Sequence, residues 1–591
     1  MIPRMAHLLK GSAAIPPTLL LNFLTGALDP RITFSRGSQA TLTDSTGKIT
    51  YAPNNLLTNS ESFDAASWTK SAATITANTA TAPDGTTTAD KLVEDTATST
   101  HNVRSGSISI VSGANYNASV YVSAAGRTRV QLVSFNGVSD VITTFDLTAG
   151  SVVSGSGSIA SVGGGWFRIS QFFTAAATVS TPYAFQIFLV STGTTTSYTG
   201  NGTSGVNIWG AQFEAVTYQT TPRTYLPTTT AAYYGPRFDY DPVTLAPRGL
   251  LIEEQRTNLL LYSEQINNAA WTKTSVTVTA DSAVAPDGTT TADLIVDPAT
   301  AAQHYTSQSF NTVSGTTYTA SFYVKNNGNG QCVYTWSSGA AAFPSGTATF
   351  NLTTGVATAT VGSATMTAVG NGWYRCTATS TATATVAGAS YYISLNGLGS
   401  YTGSGTGGIY IWGAQLEAGA FATSYIPTVA SQVTRSTDIT SMTGANFSSW
   451  YNQSQGTFVG EADAIVPLGS LNSYRMFSAN TGASSDSIEA SVYNSRWGGA
   501  VRVGGVQQAD LFVASTYNPN VVSKVAFAYQ QDNFAWSNNG STPLIDTSGS
   551  LPTPNQLSIG GFTSVAMNGH VRSIRYYNTR LSNTQLQRLS A

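Results

Sequence analysis

The stretch ASWTKSAATITANTATAPDGTTTADKLV, residues 66–93, returns as AAWTKTSVTVTADSAVAPDGTTTADLIV at residues 269–296. One constant offset relates the two copies, so that His101 after the first corresponds to His304 after the second. Such agreement in both residue identity and spacing indicates an internal duplication. A fold prediction for one copy therefore applies to both.

The duplication continues far beyond this stretch. GGGWFRIS at 163–170 corresponds to GNGWYRCT at 370–377. A repeat of about 170 residues is a whole domain, too long for the unit of a solenoid. We predict two related domains, repeat 1 over residues 55–228 and repeat 2 over residues 257–429.

The local pattern within each repeat predicts β-strands. In NYNASVYVS the residues Tyr116, Ala118 and Val120 alternate with polar neighbours, and the second copy keeps the alternation in TYTASFYVK. A period of two with one apolar face is typical of a half-buried strand. The phrase TAPDGTTTAD supplies turn residues. We predict an all-β protein in which each repeat is an antiparallel β-sandwich of the jelly-roll type.

The strand IWGAQFE near the end of repeat 1 separates core from surface by the same rule. Strict alternation places Trp209, Ala211 and Phe213 on one face. Gln212 and Glu214 then fall on the opposite, polar face. Repeat 2 carries the same pattern in IWGAQLE, so the division is predicted for both domains.

Tryptophans recur at equivalent positions of the two repeats and allow two interpretations, as core residues or as platforms for sugars. Because a buried Trp contributes a large apolar area, we predict that they belong to the core. The residues concerned are Trp68, Trp166, Trp209, Trp271, Trp373 and Trp412.

Composition excludes several classes of function. Only 9% of the 591 residues are charged, with 27 Lys and Arg against 29 Asp and Glu, so nothing favours binding to nucleic acid or to anionic membranes. No apolar run is long enough to predict a membrane span. The four histidines lack metal-site spacing, and no nucleophile with a base can be assembled. We therefore expect a protein that is not an enzyme.

The rest of the chain divides around the repeats. Residues 1–54 form a predicted extended arm, and residues 229–256 and 430–454 are predicted linkers. Residues 455–591 are predicted to form a third unit, composed of successive strands and turns.

The C-terminal unit resembles a laminin-G or concanavalin-like sandwich. The resemblance lies in the closing sequence GHVRSIRYYNTRLSNTQLQRLSA, in which a strand leads into a short helix. Ser582 and Gln585 form the pattern of a capping box at the start of that helix.

Three phrases resemble those of tailed-phage virion proteins, of the head-spike, head-fibre and tail-fibre kind. They are ITFSRGSQATLTDSTGKITYAPNNLL at 32–57, PRFDYDPVTLAPRGLLIEEQRTNLLLYSE at 236–264 and AAWTKTSVTVTADSAVAPDGTTTAD at 269–293. The resemblance implies a location on the virion and attachment to other virion proteins through the N-terminal arm. It also implies host surface polysaccharide as a partner, and a homo-oligomer, by analogy a trimer.

The repeats are also similar to carbohydrate-binding modules of the galactose-binding, jelly-roll kind. Many such modules hold a structural Ca²⁺ through acidic residues of the closing strand, where this chain has Trp and Gly. If the similarity extends to calcium, the oxygen donors implied are Glu61 with Asp90 and Glu264 with Asp293.

Candidate residues for glycan contact lie in two places. The turn QQDNFAWSNNG offers the polar groups of Asp532 and Asn533 and the ring of Trp536. The alternative is that Trp536 belongs to the core. Tyr121 and Tyr323, which face away from the apolar side of their strands, are further candidates.

These features predict a virion fibre or spike that binds host glycan for adsorption. An alternative is a head or tail decoration protein without a host ligand. A polysaccharide depolymerase is a third hypothesis, although no acidic pair has recognisable spacing.

Overall fold

The computed structural model describes residues 15–336, 342–512, 517–562 and 565–591, and the strand counts given below refer to them. The first 14 residues of the predicted arm lie outside the described residues.

The chain forms two compact units, each assembled from segments that are distant in sequence. The repeat unit comprises residues 35–246 and 255–437. The C-terminal unit comprises residues up to 34, 247–254 and 438–591.

Repeat 1 is a sandwich of two antiparallel six-stranded sheets. Its inner strand Asn115–Ala125 pairs on one side with Trp166–Thr174 and on the other with Gly205–Val216. The first sheet contains, in order, Ser158–Gly163, Trp166–Thr174, Asn115–Ala125, Gly205–Val216, Ala89–Glu94 and Ala73–Ala80. The second contains Ser151–Ser154, Asp140–Asp146, Arg129–Phe135, Phe185–Val190, Asn102–Arg104 and Thr69–Ser71.

Repeat 2 has the same two sheets in the same order. The first contains Ser363–Ala368, Trp373–Thr381, Thr317–Asn327, Gly408–Ala418, Ala292–Val296 and Thr277–Ala283. The second contains Val356–Ala359, Gly346–Asn351, Gln331–Trp336, Val386–Ser394, Tyr305–Thr312 and Thr272–Thr274. The prediction of tandem antiparallel sandwiches is confirmed.

Short strands complete the repeat unit. Thr41–Thr43 and Ile49–Tyr51 form a hairpin, called here the N-terminal hairpin. Arg237–Tyr240 is a further strand of this unit. The remaining pairs are Asn54–Asn55 with Tyr233–Tyr234, Thr98–Thr100 with Ser197–Thr199, Ser109–Ile110 with Val179–Ser180, Arg256–Asn258 with Val433–Arg435, and Ala301–Ala302 with Tyr401–Thr402.

The C-terminal unit is also a two-sheet sandwich. One sheet contains Leu19–Asn22, Pro247–Ile252, Gln455–Ala462, Ser523–Gln530, Phe534–Asn538, Leu544–Asp546 and Gly569–Tyr577. The other contains Thr33–Ser35, Ile439–Thr443, Gln556–Ile559, Tyr474–Asn480, Ser487–Tyr493, Arg496–Val503 and Val506–Phe512. Smaller elements are the pair Gly561–Phe562 with Val565–Ala566, the 3₁₀ turn Phe23–Thr25, and the helices Ala445–Ser448 and Asn583–Leu589. The capping box of Ser582 and Gln585 is present.

Parts of the predicted arm and of the first predicted linker are strands of this sandwich. Leu19–Asn22 and Pro247–Ile252 both pair with Gly569–Tyr577. Leu19 and Leu21 are buried because strand pairing turns them into the core. A fragment of residues 455–591 therefore lacks four strands of the sandwich, namely Leu19–Asn22, Thr33–Ser35, Pro247–Ile252 and Ile439–Thr443.

Strict alternation gave the wrong face for one residue of the strand Gly205–Val216. Ala211 and Phe213 point into the core, as predicted, but they share it with Ile208. Trp209 is turned to the opposite face and packs there in a separate cluster. The reason is a β-bulge at Gly210, which has a φ of +61°. The bulge inserts one extra residue into the strand, and the alternation of faces is reversed beyond it.

The opposite face is not the exposed surface that the sequence predicted. The side chains of Gln212 and Glu214 are fully buried. Their oxygen atoms accept hydrogen bonds from the backbone N–H groups of Leu226 and Arg223, at 2.8 and 2.9 Å. The chain after the strand therefore folds back over this face and carries Tyr225 with it.

Candidate functional site

An aromatic triad lies on this outer face of repeat 1. The ring of Trp209 is 5.2 Å from that of Tyr121 and 4.9 Å from that of Tyr225, measured between centroids. Trp209 is 5% exposed, whereas both tyrosines are half-buried and keep part of each ring accessible. The Trp209 indole N–H donates to the Thr88 hydroxyl at 3.1 Å, which fixes the orientation of the ring.

A glycine is required at the centre of the triad. A Cβ atom at Gly210 would stand 2.9 Å from the Tyr121 ring and 3.4 Å from the Tyr225 ring. The positive φ of Gly210 is also strained for any other residue. The bulge thus turns Trp209 outward and leaves room for both tyrosines.

Two carboxylates adjoin the triad. Tyr225 shares a 2.6 Å hydrogen bond between its hydroxyl and that of Ser60, next to the half-buried Glu61. Burial raises the pKa of Glu61, the nearby Tyr225 hydroxyl opposes that shift, and the charge of Asp84 adds to it. Asp84 itself is exposed. We call Glu61, Asp84, Tyr121, Trp209 and Tyr225 the cluster of repeat 1.

Repeat 2 contains the same cluster, residue for residue. The Trp412 ring is 5.3 Å from Tyr323 and 4.6 Å from Tyr425, and the Tyr425 hydroxyl donates to Glu264 at 3.0 Å. A bulge at the equivalent glycine again turns the tryptophan outward. Glu264, Asp287, Tyr323, Trp412 and Tyr425 form the cluster of repeat 2.

The two clusters differ in what covers them. In repeat 2 the N-terminal hairpin lies over the cluster, where Ile49 packs against the aromatic residues and its N–H donates to the carbonyl of Pro286 at 3.1 Å. A Cβ atom at Gly288 would meet the Lys48 side chain at 2.8 Å. At the equivalent Gly85 of repeat 1, a Cβ atom would have no neighbour within 4 Å.

The cover changes the electrostatics. Burial, followed by repulsion from Asp287, raises the pKa of Glu264 to about 8. A cavity of about 160 Å³ remains beneath the hairpin, and Tyr51, Glu264, Trp412 and Tyr425 are among its lining residues. Ligand pockets are usually larger, roughly 300 Å³ or more, so the space left at the covered cluster is small for a sugar.

The predicted turn of the C-terminal unit is only partly available to a ligand. Trp536 is fully buried and packs against Phe527, at 5.9 Å between ring centroids, so the prediction that it contacts glycan is wrong. Asp532 is exposed at the turn and accepts a hydrogen bond from the Gly549 N–H at 2.9 Å. Asn533 is half-buried beside it. The turn remains without an aromatic platform.

The two predicted tyrosines have different positions. Tyr121 is half-buried and belongs to the open cluster of repeat 1. Tyr323 is 4% exposed beneath the N-terminal hairpin, so it offers no surface to a ligand.

The residues implied for calcium do not come together as pairs. The Asp90 carboxylate accepts bonds from the N–H groups of Phe63 and Asn78, at 2.8 and 2.9 Å. Asp293 has the equivalent role in repeat 2. The Glu264 carboxylate accepts a hydrogen bond from the Tyr425 hydroxyl instead, at 3.0 Å. The donor set therefore does not fit the predicted calcium site, because backbone amides already use the oxygens of the aspartates.

Two wider features of the described residues bear on function. They contain no group of three or more His, Cys, Asp or Glu side chains arranged for a metal ion. Among their helices, none is both long and apolar enough to cross a membrane.

The sequence interpretation missed Asp84, Trp209 and Tyr225 as partners in one site. The available signal was the glycine within IWGAQ, because a glycine inside a strand pattern often marks a bulge. A bulge predicts that the preceding Trp209 faces outward.

No protein-family model matches the chain, and no curated protein sequence matches it. Similar solved structures include the Ruminococcus gnavus IT-sialidase CBM40 bound to alpha2,3 sialyllactose, with 14% identity over 25% of this chain and 88% of that one, at a TM-score of 0.22. The NanB sialidase from Streptococcus pneumoniae matches with 12% identity over 25% of this chain and 26% of that one, at 0.21. The receptor binding domain of botulinum neurotoxin mosaic serotype C/D matches with 14% identity over 26% of this chain and 39% of that one, at 0.21.

Proposed function

We propose that this protein is a non-catalytic virion appendage that binds host surface glycan through the cluster of repeat 1. The observation that carries the proposal is the open cluster itself. It combines two partly accessible tyrosine rings, which flank a buried tryptophan, with two carboxylates, and the same five residue types recur in repeat 2.

The five cluster residues are the same in both repeats. Some equivalent buried positions of the core differ, as Val120 does from Phe322 and Ile169 from Cys376, and others are identical, as Ala118 and Ala320 are. The support for a binding role therefore comes from the partial exposure of the repeat 1 cluster, together with its recurrence in repeat 2.

The cluster suits the two-sided chemistry of a sugar. The C–H face of a pyranose ring packs on aromatic rings, and here Tyr121 and Tyr225 supply accessible edges around Trp209. Sugar hydroxyls donate to carboxylates, and hydrogen bonds to charged acceptors are the stronger ones. Glu61 and Asp84 supply those acceptors. Several copies on one particle would raise the avidity of a weak single site.

The virion assignment rests on the phrases at 32–57, 236–264 and 269–293 that resemble phage fibre and spike proteins. Under this proposal the N-terminal arm, predicted for residues 1–54, attaches the chain to other virion proteins, and the chain assembles as a trimer on the particle surface. Detection of the chain in purified particles by mass spectrometry tests the assignment. Its absence from particles would overturn it.

Glycan binding is tested on the full chain by titration with purified host surface polysaccharide. Wild-type protein should bind saturably, and Glu61→Gln should raise Kd about tenfold, equivalent to about 1.4 kcal/mol. Glu264→Gln is the matched control, because the hairpin covers its cluster, and should leave Kd unchanged. Failure of the wild type to bind, or equal losses in both variants, would favour the decoration protein instead. Release of reducing ends would contradict the non-catalytic assignment.

A further inference from the structure

Glu61 of the repeat 1 cluster lies in a short loop, residues 59–68, called here the Glu61 loop. The two ends of the loop are joined because the Trp68 indole N–H donates to the Asn59 carbonyl at 2.9 Å. A binding group keeps its position only if the segment that carries it is itself held in place. The position of the Glu61 carboxylate beside Tyr225 therefore depends on what holds this loop.

The loop directs three of its carbonyl groups at one positive charge. The Lys70 ammonium donates to the carbonyl oxygen of Asp64 at 2.8 Å and to those of Ala65 and Trp68 at 3.0 Å. A lysine ammonium has three N–H donors, so these three acceptors use all of them. Without a cation, three carbonyl oxygens that point at one position would repel one another. The ammonium therefore fills a cation site whose walls are main-chain oxygens.

Repeat 2 has the same arrangement with different side chains. The Lys273 ammonium donates to the carbonyl of Asn267 at 2.8 Å and to the carbonyl of Asn268. These asparagines stand where repeat 1 has Asp64 and Ala65. The lysine and its backbone contacts recur although the side chains of the contributing residues differ. The site is therefore defined by the backbone of the loop and by the cation.

The donor set of this site suits a monovalent cation. Three carbonyl oxygens match the three donors of an ammonium group, whereas Ca²⁺ usually takes about six to eight oxygen ligands. Burial lowers the pKa of Lys70, and the negative charges of Asp64 and Asp90 oppose that shift. The surrounding charges thus favour a cation at the position of the ammonium.

We infer that Lys70 is a positioning residue of the glycan site, and that its ammonium occupies a monovalent-cation site which holds the Glu61 loop in the shape that presents Glu61. Free ammonium ion can take this place when the side chain of Lys70 is shortened. Lys273 has the same structural role in repeat 2, where the N-terminal hairpin covers the cluster. The effect on ligand binding rests on the proposed function, while the cation site can be tested without a ligand.

The cation site is tested by thermal unfolding of the full chain. Lys70→Ala should lower the melting temperature by about 3 °C, because three hydrogen bonds are lost. Ammonium chloride should restore most of this loss, because the shortened side chain leaves room for the ion. Tetramethylammonium chloride at equal ionic strength carries the charge without N–H donors and should restore nothing. Lys70→Met, which keeps an apolar side chain in the space, should be equally destabilised and should not respond to ammonium.

The positioning role is tested by titration of the full chain with purified host surface polysaccharide. Lys70→Ala should raise Kd about fivefold, and ammonium chloride should return it to within about twofold of the wild-type value at the same ionic strength. Lys273→Ala is the matched control. It should lose a similar amount of melting temperature but leave Kd unchanged, because its loop belongs to the covered cluster.

The outcomes separate this inference from the proposed function. If the wild type does not bind the polysaccharide, the proposed function fails, whereas recovery of melting temperature by ammonium alone still supports the cation site. If both salts restore stability equally, or if Lys70→Met also recovers, the cation site is overturned. If Lys70→Ala binds as tightly as the wild type, or if Lys273→Ala weakens binding equally, polysaccharide binding stands and the positioning role is overturned.

Discussion

The clusters of repeat 1 and repeat 2 contain the same five side chains in nearly the same geometry, yet one is open and the other is covered. The centroid distances from Trp209 to its two tyrosines, 5.2 and 4.9 Å, match the 5.3 and 4.6 Å around Trp412. The difference comes from the N-terminal hairpin, which packs on repeat 2. The same five side chains are therefore partly accessible in one domain and covered by the chain itself in the other.

The comparison also shows how cover alters ionisation. Glu61 and Glu264 both have raised pKa values because both are partly desolvated. The shift is larger for Glu264, since the hairpin excludes water and holds Asp287 near it in a buried position. Glu264 is thus held in its neutral form at pH values where an exposed carboxylate is charged.

The largest expected difference concerns the central tryptophans. Replacement of either by alanine should destabilise the repeat unit by about 3–5 kcal/mol, the usual range for a buried aromatic residue. Trp412→Ala should cost about 1 kcal/mol more than Trp209→Ala, because Ile49 also loses its packing partner. Chemical unfolding of the two full-length variants measures the difference. Equal losses would mean that the hairpin contributes nothing to the stability of repeat 2.

A smaller difference is expected in the dependence of stability on pH. Glu264 has a pKa of about 8 when folded and an ordinary value of 4.5 when unfolded. Between these values the unfolded chain binds fewer protons than the folded one, so stability falls as pH rises from about 5 to 8. Glu264→Gln should flatten this decline, and Glu61→Gln should change it less. Melting temperatures across that pH range provide the measurement, and parallel profiles for wild type and Glu264→Gln would contradict the assignment.

The smallest difference is expected at the paired turn glycines. Gly85 and Gly288 have φ values of +89° and +86°, so alanine at either should cost about 1 kcal/mol in backbone strain. Gly288→Ala should cost a few tenths more because its Cβ displaces Lys48. Thermal unfolding measures both variants. The excess should vanish in a Lys48→Ala background, and its persistence there would exclude Lys48 as the cause.

Much of the fold follows from local patterns, with two instructive exceptions. Alternation predicted the strands correctly, and the duplicated phrases predicted two sandwiches of the same kind. It gave the wrong face for Trp209, because Gly210 forms a bulge that a strict period of two does not contain. It also assigned Gln212 and Glu214 to the surface. The chain that follows the strand folds back and buries them, and that segment has no regular hydrophobic pattern from which its position could be predicted.

The candidate site could be predicted only in part. Tyr121 and Glu61 were singled out from the sequence, but for separate roles. Trp536 was a candidate for glycan contact with a core position as the alternative, and the structure shows the core position. Alternation alone cannot tell an exposed turn aromatic from one that enters a core. The grouping of Glu61 with Tyr225 depends on residues more than 160 positions apart, which no local pattern connects.

The sequence by itself determined the all-β architecture, the duplication and the recurrence of the same residue types at equivalent positions, since these depend on side-chain periodicity and on repeated segments. Tertiary structure alone decided which cluster is open. The N-terminal hairpin immediately precedes repeat 1 in sequence and contacts it through Thr217 and Tyr218, while Ile49 packs on the aromatic cluster of repeat 2. Contacts between segments so far apart arise from packing of the completed domains, and local sequence carries no record of them.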